Sequence, residues 1–87
     1  MRAPADPSSA ARPPAPVAVQ LPITLGQFLK VAGLASTGGE AKHLVISGRV
    51  TVNGAEEMRR GRHLAFGDTV AISSGDRALV TPDADHS

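Results

Sequence analysis

At 87 residues and 41% hydrophobic content the chain has room for one short domain, because a chain of this size buries a smaller share of its surface than a larger one. The absence of cysteine excludes a disulfide framework, a thiolate metal site and a cysteine nucleophile, so the core has to hold the fold unaided. A net charge of +1 is a small basic excess, but it is unevenly placed: Asp6, Asp76, Asp83 and Asp85 lie towards the ends, whereas the middle sets Lys30, Lys42, Arg49, Arg59, Arg60 and Arg62 against only Glu40, Glu56, Glu57 and Asp68.

Residues 1–20 hold Pro4, Pro7, Pro13, Pro14 and Pro16 among alanines and serines, a composition with little to bury and several missing backbone donors, which predicts a disordered tail. Beyond Pro13 to Pro16 no P-x-x-P array with basic flanks stands out, so a polyproline ligand is the less favoured reading. The start Met1-Arg2-Ala3-Pro4-Ala5-Asp6-Pro7 has no continuous apolar stretch behind its charge, and no later segment approaches bilayer length. The expectation is a soluble, cytoplasmic protein with no membrane partner.

Thr24-Leu25-Gly26-Gln27 places a hydroxyl before a helical run and a glutamine three residues later, the reciprocal arrangement that satisfies two orphan amides. The first helix therefore starts near Leu25, presents Leu25, Phe28, Leu29 and Ala32 as one apolar stripe, and stops at Gly33. Thr37-Gly38-Gly39-Glu40 repeats the capping grammar, and Ala41, Leu44 and Val45 form the buried face of a second helix that runs up to Gly48. Val50 and Val52 then alternate with polar residues up to Asn53-Gly54, a strong hairpin signal. The return strand, around Ala55 to Met58, alternates poorly, with Glu56 and Glu57 read as exposed. Phe66-Gly67-Asp68 is a turn, Thr69 to Ile72 resumes a strand with Val70 and Ile72 inward, and Ser74-Gly75-Asp76 permits a last hairpin into Ala78-Leu79-Val80. The order predicts an α+β fold, two short helices packed on a small antiparallel sheet, over residues 21–81, with 82–87 as a loose C-terminal tail.

Between Ile23 and Ile72 these elements resemble the RNA-binding domain named after ribosomal protein S-four, found in pseudouridine synthases, bacterial tyrosyl-tRNA synthetases and small stand-alone proteins. Leu25 to Leu34 matches the family's leucine-rich first helix. Its second helix and following strand, A-x-x-L-I-x-x-G-x-V-x-V-N-G, match Ala41, Leu44, Val45, Gly48, Val50, Val52, Asn53 and Gly54, and its later Gly-Asp turn and strand match Gly67, Asp68, Val70 and Ile72. Typical members place Ser-Arg where the second helix begins; this chain has Ser36-Thr37-Gly38-Gly39-Glu40-Ala41-Lys42. That form, together with Arg59-Arg60-Gly61-Arg62, is similar to a stand-alone bacterial branch of the family. The resemblance implies an alpha-L-like RNA-binding motif whose partner is structured RNA, ribosomal or transfer RNA, and an association with the ribosome.

The residues themselves support that chemistry. A helix start offers unpaired amides and the positive end of the macrodipole, and Gly38 and Gly39 leave the approach open to a phosphate. Lys42 adds a cation one turn further on, Arg49 adds another beyond the helix, and Arg59, Arg60 and Arg62 offer guanidinium forks in the loop after the hairpin. The predicted RNA-binding set is Gly38, Gly39, Lys42, Arg49, Arg59, Arg60 and Arg62. The bland alternatives are a flexible glycine connection, a capping Glu40, a solvated Lys42 and an arginine loop balanced by Glu56 and Glu57. Three arginines in four residues tip the loop towards function. With no Trp or Tyr, and Phe28 and Phe66 both expected in the core, recognition should run through phosphates rather than base stacking.

Other classes fit less well. No nucleophile–base–acid set is present and the chain is too short to enclose a substrate, so no enzyme and no cofactor are expected. His43 and His63 lack metal-ligand spacing and His86 lies in the tail, so no metal is expected either. A ubiquitin-like sulfur carrier would end in Gly-Gly, whereas this chain ends Asp85-His86-Ser87. A protein-docking module that uses the same basic rim is the remaining alternative.

Overall fold

Three- to four-residue spacing in the helices and two-residue alternation in the strands converge on a two-layer arrangement, seen over residues 14–83, which a computed structural model describes. In chain order the elements are β1 (Ala15–Val19), α1 (Leu25–Val31), α2 (Gly38–Ile46), β2 (Val50–Val52), β3 (Ala55–Glu56), β4 (Thr69–Ile72) and β5 (Arg77–Pro82).

Both halves of the first capping box are formed: the Thr24 side chain accepts the Gln27 amide at 3.2 Å, and the Gln27 side chain accepts the Thr24 amide at 2.9 Å. Leu25, Phe28 and Leu29 are fully buried, and the chain leaves α1 through Gly33 at φ +77°. At α2 the Thr37 hydroxyl accepts the Glu40 amide at 3.0 Å, but the Glu40 carboxylate reaches one residue further back than expected, to the Ser36 amide at 2.6 Å. Ala41 and Val45 point into the core, and Gly48, at φ +77°, turns the chain towards β2.

The two-residue turn between β2 and β3 carries positive φ at both Asn53 (+54°) and Gly54 (+86°), the twist that a tight hairpin demands. The five strands lie in the order β1-β5-β4-β2-β3; β1 runs parallel to β5 and every other pair is antiparallel. One face of the sheet contributes Val19, Val50, Val52, Val70, Ala78 and Val80 to a core closed by the two helices, with Ile23 and Leu64 at its margin. Each large side chain buried this way contributes roughly 1.5–3 kcal/mol. Among the described residues no helix is long and apolar enough to cross a membrane.

The structure corrects several expectations. Residues 15–19, assigned to a disordered tail, form β1, in register from Ala15 opposite Ala78 to Val19 opposite Pro82. Prolines alone do not exclude a strand: Pro16 sits in an edge strand, where a missing donor costs little, while Val17 and Val19 alternate inward. The sheet is consequently mixed rather than wholly antiparallel, and β5 continues through Pro82; residues 1–13 and 84–87 of the two expected tails lie outside the described residues. Phe66, expected in the core, is 47% exposed, because it occupies the turn closed by the Asp68 amide on the Ala65 carbonyl rather than a strand position. Glu57, expected at the surface, is 8% exposed.

Candidate nucleic-acid interface

A loop from Glu57 to Asp68 separates β3 from β4, and backbone hydrogen bonds stitch it to the start of α1. The Leu25 and Gly26 amides donate to the carbonyls of Arg62 (2.8 Å) and Arg60 (3.0 Å), and the Leu64 amide donates to the Ile23 carbonyl at 3.0 Å. Two of the donors that any helix leaves unpaired at its start are thereby used, so the N-terminus of α1 is closed by the loop. At α2 the situation differs. Glu40 and Ala41 have their amides satisfied by Thr37, whereas the amides of Gly38 and Gly39 donate to no group among the described residues.

Inside the loop, Glu57 Oε2 accepts from both the backbone amide (3.0 Å) and the Nε (3.1 Å) of Arg59, and Oε1 accepts from Arg62 Nη1 at 2.9 Å. The Arg59 side-chain hydrogen bond, then its backbone amide, hold the Glu57 carboxyl down at about 2, against the opposing effect of burial and with help from Arg62. Arg59 remains largely solvent-facing and Arg62 is two-thirds covered. Each keeps guanidinium donors that Glu57 does not use, because a guanidinium carries five N–H groups.

Arg60 is placed differently from its neighbours. Its aliphatic stem crosses Gly26, where a Cβ would fall 2.6 Å from Arg60 Cγ. The side chain enters a cleft of about 230 Å³ between the start of α1, the start of α2 and the loop. Thr24, Gly26, Gln27 and Lys30 line one wall, Gly38 and Ala41 another, and Arg60 with Gly61 the third. Lys30 and Arg60 bring two cations to this lining and no carboxylate contributes to it.

Of the residues singled out in the sequence, the cleft gathers Gly38 and Arg60. Gly39 is exposed next to Gly38, and Lys42 is exposed one turn further along α2, outside the lining. Arg59 and Arg62 stand behind Arg60, gripped by Glu57. Arg49 is exposed just past the other end of α2, a helix whose first and last residues lie about 12 Å apart at about 1.5 Å per residue. Lys30 and Gln27 were missed. Their signal is present in the sequence, since positions 27 and 30 are three apart on the face of α1 opposite Leu25, Phe28 and Leu29.

A two-helix layer on a mixed five-stranded sheet, with a cationic, carboxylate-free cleft where one helix start meets a braced loop, defines a small α+β domain whose open site suits an anion. A family model for the S4 domain matches residues 19–81, and the chain belongs to the S4 domain family. It is also similar to the Probable ribosome maturation protein RlbA of Bacillus subtilis (strain 168), with 50% identity over 50 residues that make up 58% of this chain and 70% of that protein. The family match starts at the last residue of β1 and ends inside β5, so it takes in both helices, the braced loop and the cleft.

Proposed function

We propose that this protein binds structured RNA, ribosomal or transfer RNA, through its phosphate backbone, as a non-catalytic, cytoplasmic, ribosome-associated module. The observation that carries this reading is the lining of the cleft: Lys30 and Arg60 flank the α2 start beside Gly38, and no carboxylate opposes them. A phosphate satisfies both parts, taking hydrogen bonds from backbone amides at a helix start and charge from the flanking cations. In this reading Gly38 and Gly39 supply amides, Arg60 the guanidinium fork and Lys30 the second cation. Lys42 extends the rim, Arg59 and Arg62 offer their remaining donors to neighbouring phosphates, and Arg49 meets the strand only if it continues along α2. Family membership and a relative named as a probable ribosome maturation protein support the reading by likeness.

The test is equilibrium binding of labelled ribosomal and transfer RNA fragments across a salt series. Affinity should fall linearly on a log–log plot, with a slope of about −0.9 per phosphate neutralised. Folded protein that retains neither RNA at low salt, yet captures an acidic protein partner, would replace this reading with the docking one.

A further inference from the structure

Glu57 is the one charged residue buried among the described residues, and phosphate binding as such has no use for it. A carboxylate taken out of water is costly unless its oxygens are hydrogen-bonded, and here both are. The pattern of those bonds is specific. Glu57 fixes the main chain and side chain of Arg59 on one side of Arg60 and the side chain of Arg62 on the other. The carbonyls of Arg60 and Arg62 are in turn fixed by the Gly26 and Leu25 amides. Arg60 is therefore held between anchored neighbours while its own guanidinium makes no ion pair or hydrogen bond among the described residues. A carboxylate that served only to offset three arginines would have no reason to be buried, to bond a backbone amide, or to pass over Arg60.

We infer that Glu57 is a positioning residue: by bracing Arg59 and Arg62 from inside the loop, it sets Arg60 as the loop's contact cation in the cleft. The role rests on the RNA reading for its ligand and on the loop geometry for its mechanism.

Two substitutions separate bracing from charge. Glu57→Gln keeps the shape and removes the charge; Glu57→Asp keeps the charge but withdraws the carboxylate by one methylene, too short to hold both arginines. Each is measured against a labelled ribosomal RNA stem–loop, alone and combined with Arg60→Ala, and hydrogen exchange of the Leu25 and Gly26 amides is followed in the free protein. Both variants are expected to bind about tenfold more weakly, the loss of one charge-assisted contact. Neither should lose more in the Arg60→Ala background, because the two residues act through one contact. The Leu25 and Gly26 amides, whose acceptors lie in the braced loop, should exchange faster in both.

A Glu57→Gln protein that binds as well as the parent or better, with a steeper salt slope, would make Glu57 a mere counter-charge and overturn the inference. Losses that add to that of Arg60→Ala, or unchanged exchange at Leu25 and Gly26, overturn it as well. Should Glu57→Gln fail to fold, Glu57→Asp decides, since its net charge is that of the parent. A parent that retains no RNA removes the function and this role with it, while the exchange data still establish separately whether Glu57 braces the loop.

Discussion

Gly26 and Arg60 are neighbours because an atom is missing: a Cβ on Gly26 would lie 2.6 Å from Cγ and 3.2 Å from Cδ of Arg60. The Arg60 stem occupies that space on its way into the cleft. Gly26→Ala therefore forces the side chain aside without altering the net charge. Ala is a better helix former than Gly by roughly 0.5–1 kcal/mol, which offsets part of the cost of displacing Arg60. RNA affinity should drop several-fold at constant salt slope, while the urea midpoint stays close to that of the parent. Retained affinity in this variant would remove Arg60's placement from the account of binding.

Asn53 links the two hairpins. Its side chain donates to Asp68 Oδ1 at 2.9 Å and accepts the Thr69 amide at 2.9 Å, while its backbone sits at φ +54°. Asn53→Ala loses both bonds, at about 0.5–1.5 kcal/mol each, and adds a left-handed penalty of roughly 1–2 kcal/mol, so the expected destabilisation is about 2–5 kcal/mol. Asn53→Gly loses the same bonds but tolerates the backbone, and should cost less. Equal losses in the two variants, measured by urea unfolding, would show that the left-handed backbone contributes nothing.

The helices, their caps and the Asn53-Gly54 hairpin were legible because each is written in a short window: Thr24 with Gln27, Thr37 with Glu40, Val50 with Val52. What escaped depends on pairing across distance. β1 is an edge strand stabilised by β5, far along the chain, and its five residues carry a proline-rich context that argues locally for a coil. Glu57 reads as one of two adjacent surface acids, because nothing in the sequence says that Arg59 and Arg62 will fold back over it. Within the site, Gly38 and Arg60 were found from composition, whereas Lys30 joins them only through the packing of α1 against α2 and the stitching of the loop to α1.

The two phenylalanines show the same limit in energetic form. Phe28 is fully buried and Phe66 is 47% exposed. Phe28→Ala should cost about 3–5 kcal/mol, a large part of the roughly 5–15 kcal/mol available to a small domain, and lower the melting temperature by at least about 12 °C. Phe66→Ser should stay within about 0.5 kcal/mol of the parent. Thermal denaturation followed by circular dichroism distinguishes these outcomes, and a large loss at Phe66 would mean that the turn packs against more than it exposes.

Glu57 also sets an acid limit. Its carboxyl is held at about 2 in the folded protein, against an ordinary value of 4.5. The unfolded chain thus takes up the proton first. The stabilisation is complete above pH 4.5 and is lost as pH falls towards about 2. Urea unfolding at a series of pH values should show Glu57→Gln less stable than the parent near neutrality, with the gap closing as the solution is acidified into that window. A gap that stays constant with pH would assign the loss to packing rather than to the arginine bonds.

The cations should not count equally towards RNA. Lys30 and Arg60 line the cleft, so Lys30→Gln and Arg60→Gln should each weaken binding across unrelated structured RNAs and flatten the salt slope by about 0.9. Arg49 lies at the far end of α2, beyond about one Debye length from the cleft at physiological salt, so its charge reaches a phosphate bound beside Gly38 only weakly. Arg49→Gln should leave the binding of a short RNA stem nearly unchanged and affect only longer RNA that follows the helix. Arg59 and Arg62 sit between these extremes, because removing either also strips a partner from Glu57. Their substitution should lower affinity by more than the change in salt slope accounts for. Equal effects at all of these positions would point to a diffuse electrostatic surface rather than a phosphate seated between Lys30, Arg60 and the start of α2.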